Sequence, residues 1–419
     1  MAMAPPLAGV VRLAAASRVL VLALSLLTRL LFRPYDTSAS LHPPCLSPSA
    51  PSSSSSAPST NLSAAISSLA VWDGVHFARP AECGYEYEQS YAFLPLLPAS
   101  IALLARSLFA PLVPVLGYRA VLVLSGHVLN NVAFVAAAAY FYRLSVLILK
   151  DRKAAYRASV LFCFNPASVF YSSLYSESLY ALFSLGGLFY LFSGANTVAV
   201  IMLAISGSAR SNGALNAGYF CFQALLRAYD AAVNKKRPLL VVQTLVAAAL
   251  RSIFIFLPFF AFQAYGYLNI CVHGSSEELR PWCKAKVPLL YGFIQSHYWG
   301  VGFLRYFQRK SVAMETVSAT FHDAMSANQN IKEKQHEGSI LLLPFILHLT
   351  FMTFTAFFVM HVQVSTRFLS AGPPIYWAAA HIFASPNCTS KRWGYLICVY
   401  FIAYILLGSL LFSNFYPFT

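Results

Sequence analysis

The chain has 419 residues, of which 58% are hydrophobic and only 10% charged, with a formal net charge of +15 and a mean hydropathy of +0.61. A soluble domain carries roughly 25% charged residues, so an ordinary water-soluble globule is excluded and a lipid-facing surface is implied. The positive charge does not argue for nucleic acid: Lys and Arg punctuate apolar runs, as at 150–157 and 235–237, the pattern of cytoplasmic loops under the positive-inside rule.

Residues 9–32 have a positive flank and an apolar core. The run closes on Leu31, Phe32 and Arg33 rather than on a small-residue cleavage pattern, so it reads as an uncleaved signal-anchor helix within 1–36, its N-terminus cytosolic. A first lumenal loop is expected over 37–90. Its part 37–68 is rich in Ser, Pro and Ala, includes the serine run 52–56, and is expected to be disordered. The sequon Asn61-Leu62-Ser63 fits there.

The stretch 71–98 holds Asp73, His76, Glu82, Glu86 and Glu88, so four of the chain's 14 acidic residues fall in it. Charge in a membrane protein is costly to place. The stretch reads either as a solvated loop or as a catalytic loop on the rim of a membrane-embedded cavity.

A transmembrane bundle is expected over 91–269. Its apolar runs are 91–115, 119–149, a pair within 158–192, 196–209, 214–228 and 239–269. With the basic loops cytosolic and 33–90 lumenal, one run between 90 and 157 must be re-entrant or interfacial. A polar loop with an interfacial helix is expected over 270–340, and C-terminal spans within 341–419, at 341–360, 373–385 and 394–413.

Polar islands interrupt these runs. Asn165-Pro166 removes a helical donor, and Glu177 is either an intramembrane functional carboxylate or a helix-end acid. Arg210 and Asn212 sit in Arg-Ser-Asn-Gly, where the guanidinium suits a phosphate and a tight turn is the plainer alternative. His361, Gln363 and Arg367 precede Gly372-Pro373-Pro374, so Arg367 either snorkels at a membrane boundary or neutralises a lipid phosphate. The eight cysteines show no CxxC or zinc spacing. Cys163, Cys221 and Cys398 read as buried small hydrophobes, and Cys271 with Cys283 as a disulfide in an oxidising lumen. No nucleotide loop, HExxH or GxSxG elbow occurs in a fitting context, no metal-ligand spacing appears, and no cofactor is implied.

In order, WDGVHF, GYEYEQSYAFLPLLP, FNPASVFYSSLYSESLYAL, ARSNGALNAGY, YWGVGFLRYF and HVQVSTRFLSAGPPIYW resemble the GPI mannosyltransferase II family. The resemblance implies an all-α, polytopic membrane protein similar to the GT-C glycosyltransferases, with about 8–11 transmembrane helices at ~20 residues each and a lumenal catalytic loop. It implies transfer of the second mannose, α-1,6-linked, from dolichyl-phosphate mannose to a GPI intermediate, by inverting direct displacement at the lumenal face of the endoplasmic reticulum membrane. Within it Asp73 is the expected base, with Glu86 and Glu88 in reserve. Trp72 and His76 shape the sugar site, and Arg367 and then Arg210 hold the donor phosphate, with Glu177, Asn212, His361 and Gln363 as further substrate-binding candidates. A small membrane subunit is a further partner to expect.

One departure stands out. The family implies another apolar span between YWGVGFLRYF and HVQVSTRFL, where 308–338 is polar here. Losing that span would put Arg367 on the wrong side of the membrane. Two other readings compete: a transporter or scramblase, which would show paired repeats with matching broken helices, and a non-catalytic subunit that keeps the fold.

Overall fold

The computed structural model describes residues 6–35, 45–46, 61–273, 280–305, 336–360 and 362–417, and these form helices and turns with no strand among them. The expected segment 37–68 lies largely outside the described residues, as does most of the polar 308–338 run. The chain is an all-α polytopic membrane protein. Five described helices are long and apolar enough to cross a bilayer: Pro6–Leu31, Tyr118–Leu149, Pro238–Val272, Ile340–Phe358 and Cys388–Asn414. Leu96–Arg106 and Ala110–Leu116 add a sixth if taken as one span, although they meet at a 69° bend.

Among the described residues these spans are joined by shorter apolar helices, for a physical reason. Several apolar runs are cut by residues that end helices, leaving Glu177–Phe192 and Asn196–Ala209 too short to span alone. The two pack face to face because Gly186 and Gly187 leave room for Met202 and Leu203; a Cβ on either glycine would lie 2.4 or 2.5 Å from those side chains. The apolar run 158–192 breaks at Asn165-Pro166 between the helices Arg152–Cys163 and Ser168–Ser172, and again before Glu177.

That broken segment is held by an unusual group. Arg18, buried in the middle of Pro6–Leu31, donates from Nη1 to the Ser168 carbonyl at 2.8 Å and the Ser172 hydroxyl at 3.1 Å. Its Nη2 reaches the Cys163 carbonyl at 3.2 Å and the Ser168 hydroxyl at 3.1 Å, and its guanidinium carbon lies 3.9 Å from the centre of the Phe134 ring. Carbonyls on both sides of the proline break thus receive donors from a cation on another helix, as suits buried backbone groups inside a membrane protein.

The basic turn at 150–157 is closed by Lys150 in the left-handed region and by Asp151, whose carboxylate accepts from the amides of Lys153 and Ala154 at the next helix's start. Two disulfides fall in the other loop set. Cys271–Cys283 matches the expected pair, and Cys45–Cys83, unforeseen, ties residue 45 to the end of the helix Asp73–Cys83. Cys163 is buried as expected, whereas Cys221 and Cys398 lie on the outer surface of the bundle, where a small apolar thiol is equally at home against lipid.

Candidate active site

The helix Asp73–Cys83 opens on its only first-turn acid, Asp73, after Trp72 in a conformation (φ 52°) that non-glycine residues rarely take. Two contacts hold this entry. The Trp72 indole donates to the Phe412 carbonyl at 3.2 Å, and the Asp73 amide donates to the Tyr175 hydroxyl at 3.0 Å. Trp72 therefore braces the loop against the last helix.

Four charges meet there. Arg367, from the helix Val362–Leu369, donates through Nη1 to Asp73 Oδ2 at 2.9 Å, and its Nε lies 3.7 Å from Glu177 Oε1. Arg210 binds the same Glu177 oxygen. The order is Asp73, Arg367, Glu177, Arg210, alternating in sign with zero net charge. Asp73 is the most open of the four, with its side chain 35% exposed, and Glu177 the most enclosed at 3%, with Arg367 at 19% and Arg210 at 15% between them. Arg367 further sits 5.4 Å from the ring centres of both Phe170 and Tyr175, a favourable seat for a guanidinium. Burial pulls the Arg367 guanidinium down, but the charges of Asp73 and Glu177 prevail and its pKa is raised, so it stays cationic.

The direct contact between Asp73 and Arg367 corrects one expectation. The polar 308–338 run does not put Arg367 on the far side of the membrane, because the two side chains share one hydrogen bond across 294 residues of sequence.

Arg210 is aimed by a compact turn. It ends the helix Asn196–Ala209 and precedes the 3₁₀ turn Ser211–Asn216, whose Ser211 hydroxyl meets the Tyr291 hydroxyl at 2.8 Å. Gly213 lies directly on the preceding helix: a Cβ there would be 2.4 Å from the Ser206 carbonyl carbon and oxygen. Backbone cannot move aside as a side chain can. Gly213→Ala is expected to cost roughly 1–3 kcal/mol and to disturb Arg210, measurable as a lowered Tm of the detergent-solubilised protein with reduced activity. An unchanged Tm would refute the close packing. Asn212 beside it is buried, and neither its amide oxygen nor its nitrogen has a hydrogen-bond partner; Glu177 Oε2 is likewise unpartnered.

His76 lies one turn past Asp73, stacked on Phe93 at 4.9 Å. Burial pushes its pKa below the ordinary value against the opposing pull of Asp73, so its ring is neutral at neutral pH.

The other loop acids serve as ties. Glu86 pairs with Arg79 at 2.5 Å and accepts the Leu46 amide at 2.6 Å, beside the Cys45–Cys83 bridge. Glu88 accepts from the Trp282 indole at 2.6 Å and the Tyr298 hydroxyl at 2.8 Å, and Glu82 pairs with Arg119 at 2.9 Å. Both oxygens of Glu86 and of Glu88 are thus taken, and the structure does not bring either acid into the cluster around Asp73. Cys45, Cys83 and Glu86 are close enough to share a ligand, but the two sulfurs are bonded to each other. His361 lies outside the described residues, and of Gln363 only the helical backbone is described.

Sequence reasoning passed over Phe170 and Tyr175. The available signal was their position in FNPASVFYSSLYSESLY, flanking a helix break just before Glu177.

Near the charges lies a small, mostly apolar crevice lined by Tyr180, Tyr219, Phe345, Met352, Phe368 and Pro373 among others. Tyr180 is one turn from Glu177 and Phe368 follows Arg367, so the crevice adjoins the cluster.

Comparison with known proteins shows the family of the chain. The family described as Mannosyltransferase (PIG-V) matches residues 7–419. GPI alpha-1,6-mannosyltransferase 2 of Homo sapiens is 30% identical, the alignment covering 89% of this chain and 83% of the human protein. GPI mannosyltransferase 2 of Schizosaccharomyces pombe is 27% identical over 83% of this chain and 72% of its own. Among solved structures, the archaeal oligosaccharyltransferase AglB from Archaeoglobus fulgidus, in complex with an inhibitory peptide and a dolichol-phosphate, superposes with a TM-score of 0.50 at 12% identity. It covers 98% of this chain but only 56% of AglB, and supports the GT-C-like fold alone. Matched by this family model over residues 7–419, the chain belongs to the PIG-V mannosyltransferase family.

Proposed function

We propose that the chain adds the second mannose, in α-1,6 linkage, to the GPI precursor, using dolichyl-phosphate mannose at the lumenal face of the endoplasmic reticulum membrane. The observation that carries the reading is the ordering of the charges: a half-open carboxylate, Asp73, backed by two guanidiniums that a buried Glu177 holds in place.

The chemistry runs as a single displacement. Asp73 takes the proton of the acceptor hydroxyl as its oxygen bonds to the anomeric carbon, and the bond from that carbon to the phosphate oxygen breaks with its electron pair. The donor phosphodiester carries one negative charge and the released dolichyl phosphate two, so charge builds on the leaving group. Arg367 and Arg210 are placed to stabilise it, and a phosphate needs no general acid to leave. His76, kept neutral, and Trp72 border the sugar site. Two disulfides in the loops flanking the site fit an oxidising compartment.

The test is transfer by the purified, reconstituted chain from dolichyl-phosphate mannose to a singly mannosylated GPI intermediate, together with restoration of surface GPI-anchored proteins in cells deficient in this step. Product carrying a second mannose is the expected result. A chain that inserts into the membrane but neither transfers nor restores is a scaffold, and the reading falls.

A further inference from the structure

Arg367 has two carboxylate partners of opposite character. Glu177 is the inner one: its side chain is 3% exposed, and its Oε1 is shared by Arg367 and Arg210. Asp73 is the outer one, more than a third exposed and joined to Arg367 through a single Nη1 contact at 2.9 Å. The guanidinium also has neighbours besides Asp73: Glu177 Oε1 lies at ion-pair distance, 3.7 Å from an Nε that makes no hydrogen bond, and the rings of Phe170 and Tyr175 flank it. The Asp73 backbone is fixed independently of Arg367, because its amide donates to the Tyr175 hydroxyl. Each member of the outer pair would therefore keep other contacts if the bond between them were broken.

Resting on the proposed reaction, we infer that Arg367 exchanges its outer partner during turnover: Asp73 occupies it in the empty enzyme, and the phosphate of a prenyl phosphate sugar displaces that carboxylate. Glu177 is the positioning residue that keeps the guanidinium from following Asp73. The exchange ties the two halves of the chemistry together. The carboxylate is released toward the acceptor side only when a phosphate has arrived, so donor binds before acceptor. It also means that Asp73 opposes donor binding twice, by competing for Arg367 and by repelling the phosphate's own charge.

This yields an inverted expectation for the residue assigned as base. With the full chain in nanodiscs and no acceptor present, the dissociation constant of a short-chain prenyl phosphate mannose is measured for wild type, Asp73→Asn, Asp73→Ser and Arg367→Gln, with Tm as the folding control. Asp73→Asn and Asp73→Ser are expected to bind the probe about tenfold more tightly, equivalent to ~1.4 kcal/mol, while Arg367→Gln binds it more weakly. Unchanged or weakened binding in both folded Asp73 variants overturns the exchange. Wild-type affinity in Arg367→Gln instead overturns the assignment of Arg367 to the phosphate, and with it that part of the proposed function. The two failures are thus separable.

Discussion

Asp73→Asn should reduce mannose transfer by roughly 10²–10⁴-fold, the usual contribution of a positioned general base. The substitution is nearly isosteric. Its amide oxygen can still accept from Arg367, and the hydrogen bond from the residue 73 amide to Tyr175 involves backbone only. Membrane insertion and Tm should therefore stay close to wild type, isolating the chemical defect. The assay is transfer to the singly mannosylated GPI intermediate at saturating donor. Near-normal turnover would sink the assignment: Glu177 is 3% exposed and paired with both arginines, Glu86 would have to leave Arg79, and Glu88 would have to leave Trp282 and Tyr298.

Arg18→Met is the largest stability effect expected. Replacing a buried charge by a hydrophobe is often harmless when its partners are replaced too. Here two partners are the carbonyls of Cys163 and Ser168, which no side-chain change removes. Each buried acceptor left without a donor costs ~1–3 kcal/mol, and the Ser168 and Ser172 hydroxyls lose an interaction as well. A total loss of about 3–5 kcal/mol would show as a markedly lower Tm in detergent. Arg18→Lys should recover part of it, since an ammonium still donates but cannot span all four acceptors. A wild-type Tm for Arg18→Met would mean that the proline break holds itself.

Sequence went furthest where one residue had to be unusual for its surroundings. Asp73 and Arg367 each stood out as a charge next to apolar runs, and they meet in space. What sequence could not supply was pairing. Glu82, Glu86 and Glu88 looked like a single acidic cluster, yet each is drawn off by a different partner, in Arg119, Arg79 and the segment bearing Trp282 and Tyr298. Glu177 read equally well as a helix-end acid, because nothing local reveals that two arginines from distant turns converge on one oxygen. The breaks at Asn165-Pro166 and at 210–213 show in the sequence as polar interruptions, but hydropathy alone does not say which of the resulting pieces cross the membrane as one span.

The Cys45–Cys83 bridge bears on how freely the first loop can vary in length. It brings two residues 38 apart in sequence to a Cα separation of 5.5 Å. The ring it closes runs from 45 to 83 and takes in the Ser- and Pro-rich tract and the whole helix that begins at Asp73. Ring-closure entropy grows only with the logarithm of length, about 0.6 kcal/mol per doubling. A change in the number of residues between the two cysteines therefore alters the ring's circumference at small entropic cost, while the bridge itself keeps residue 45 at the end of the helix that carries Asp73.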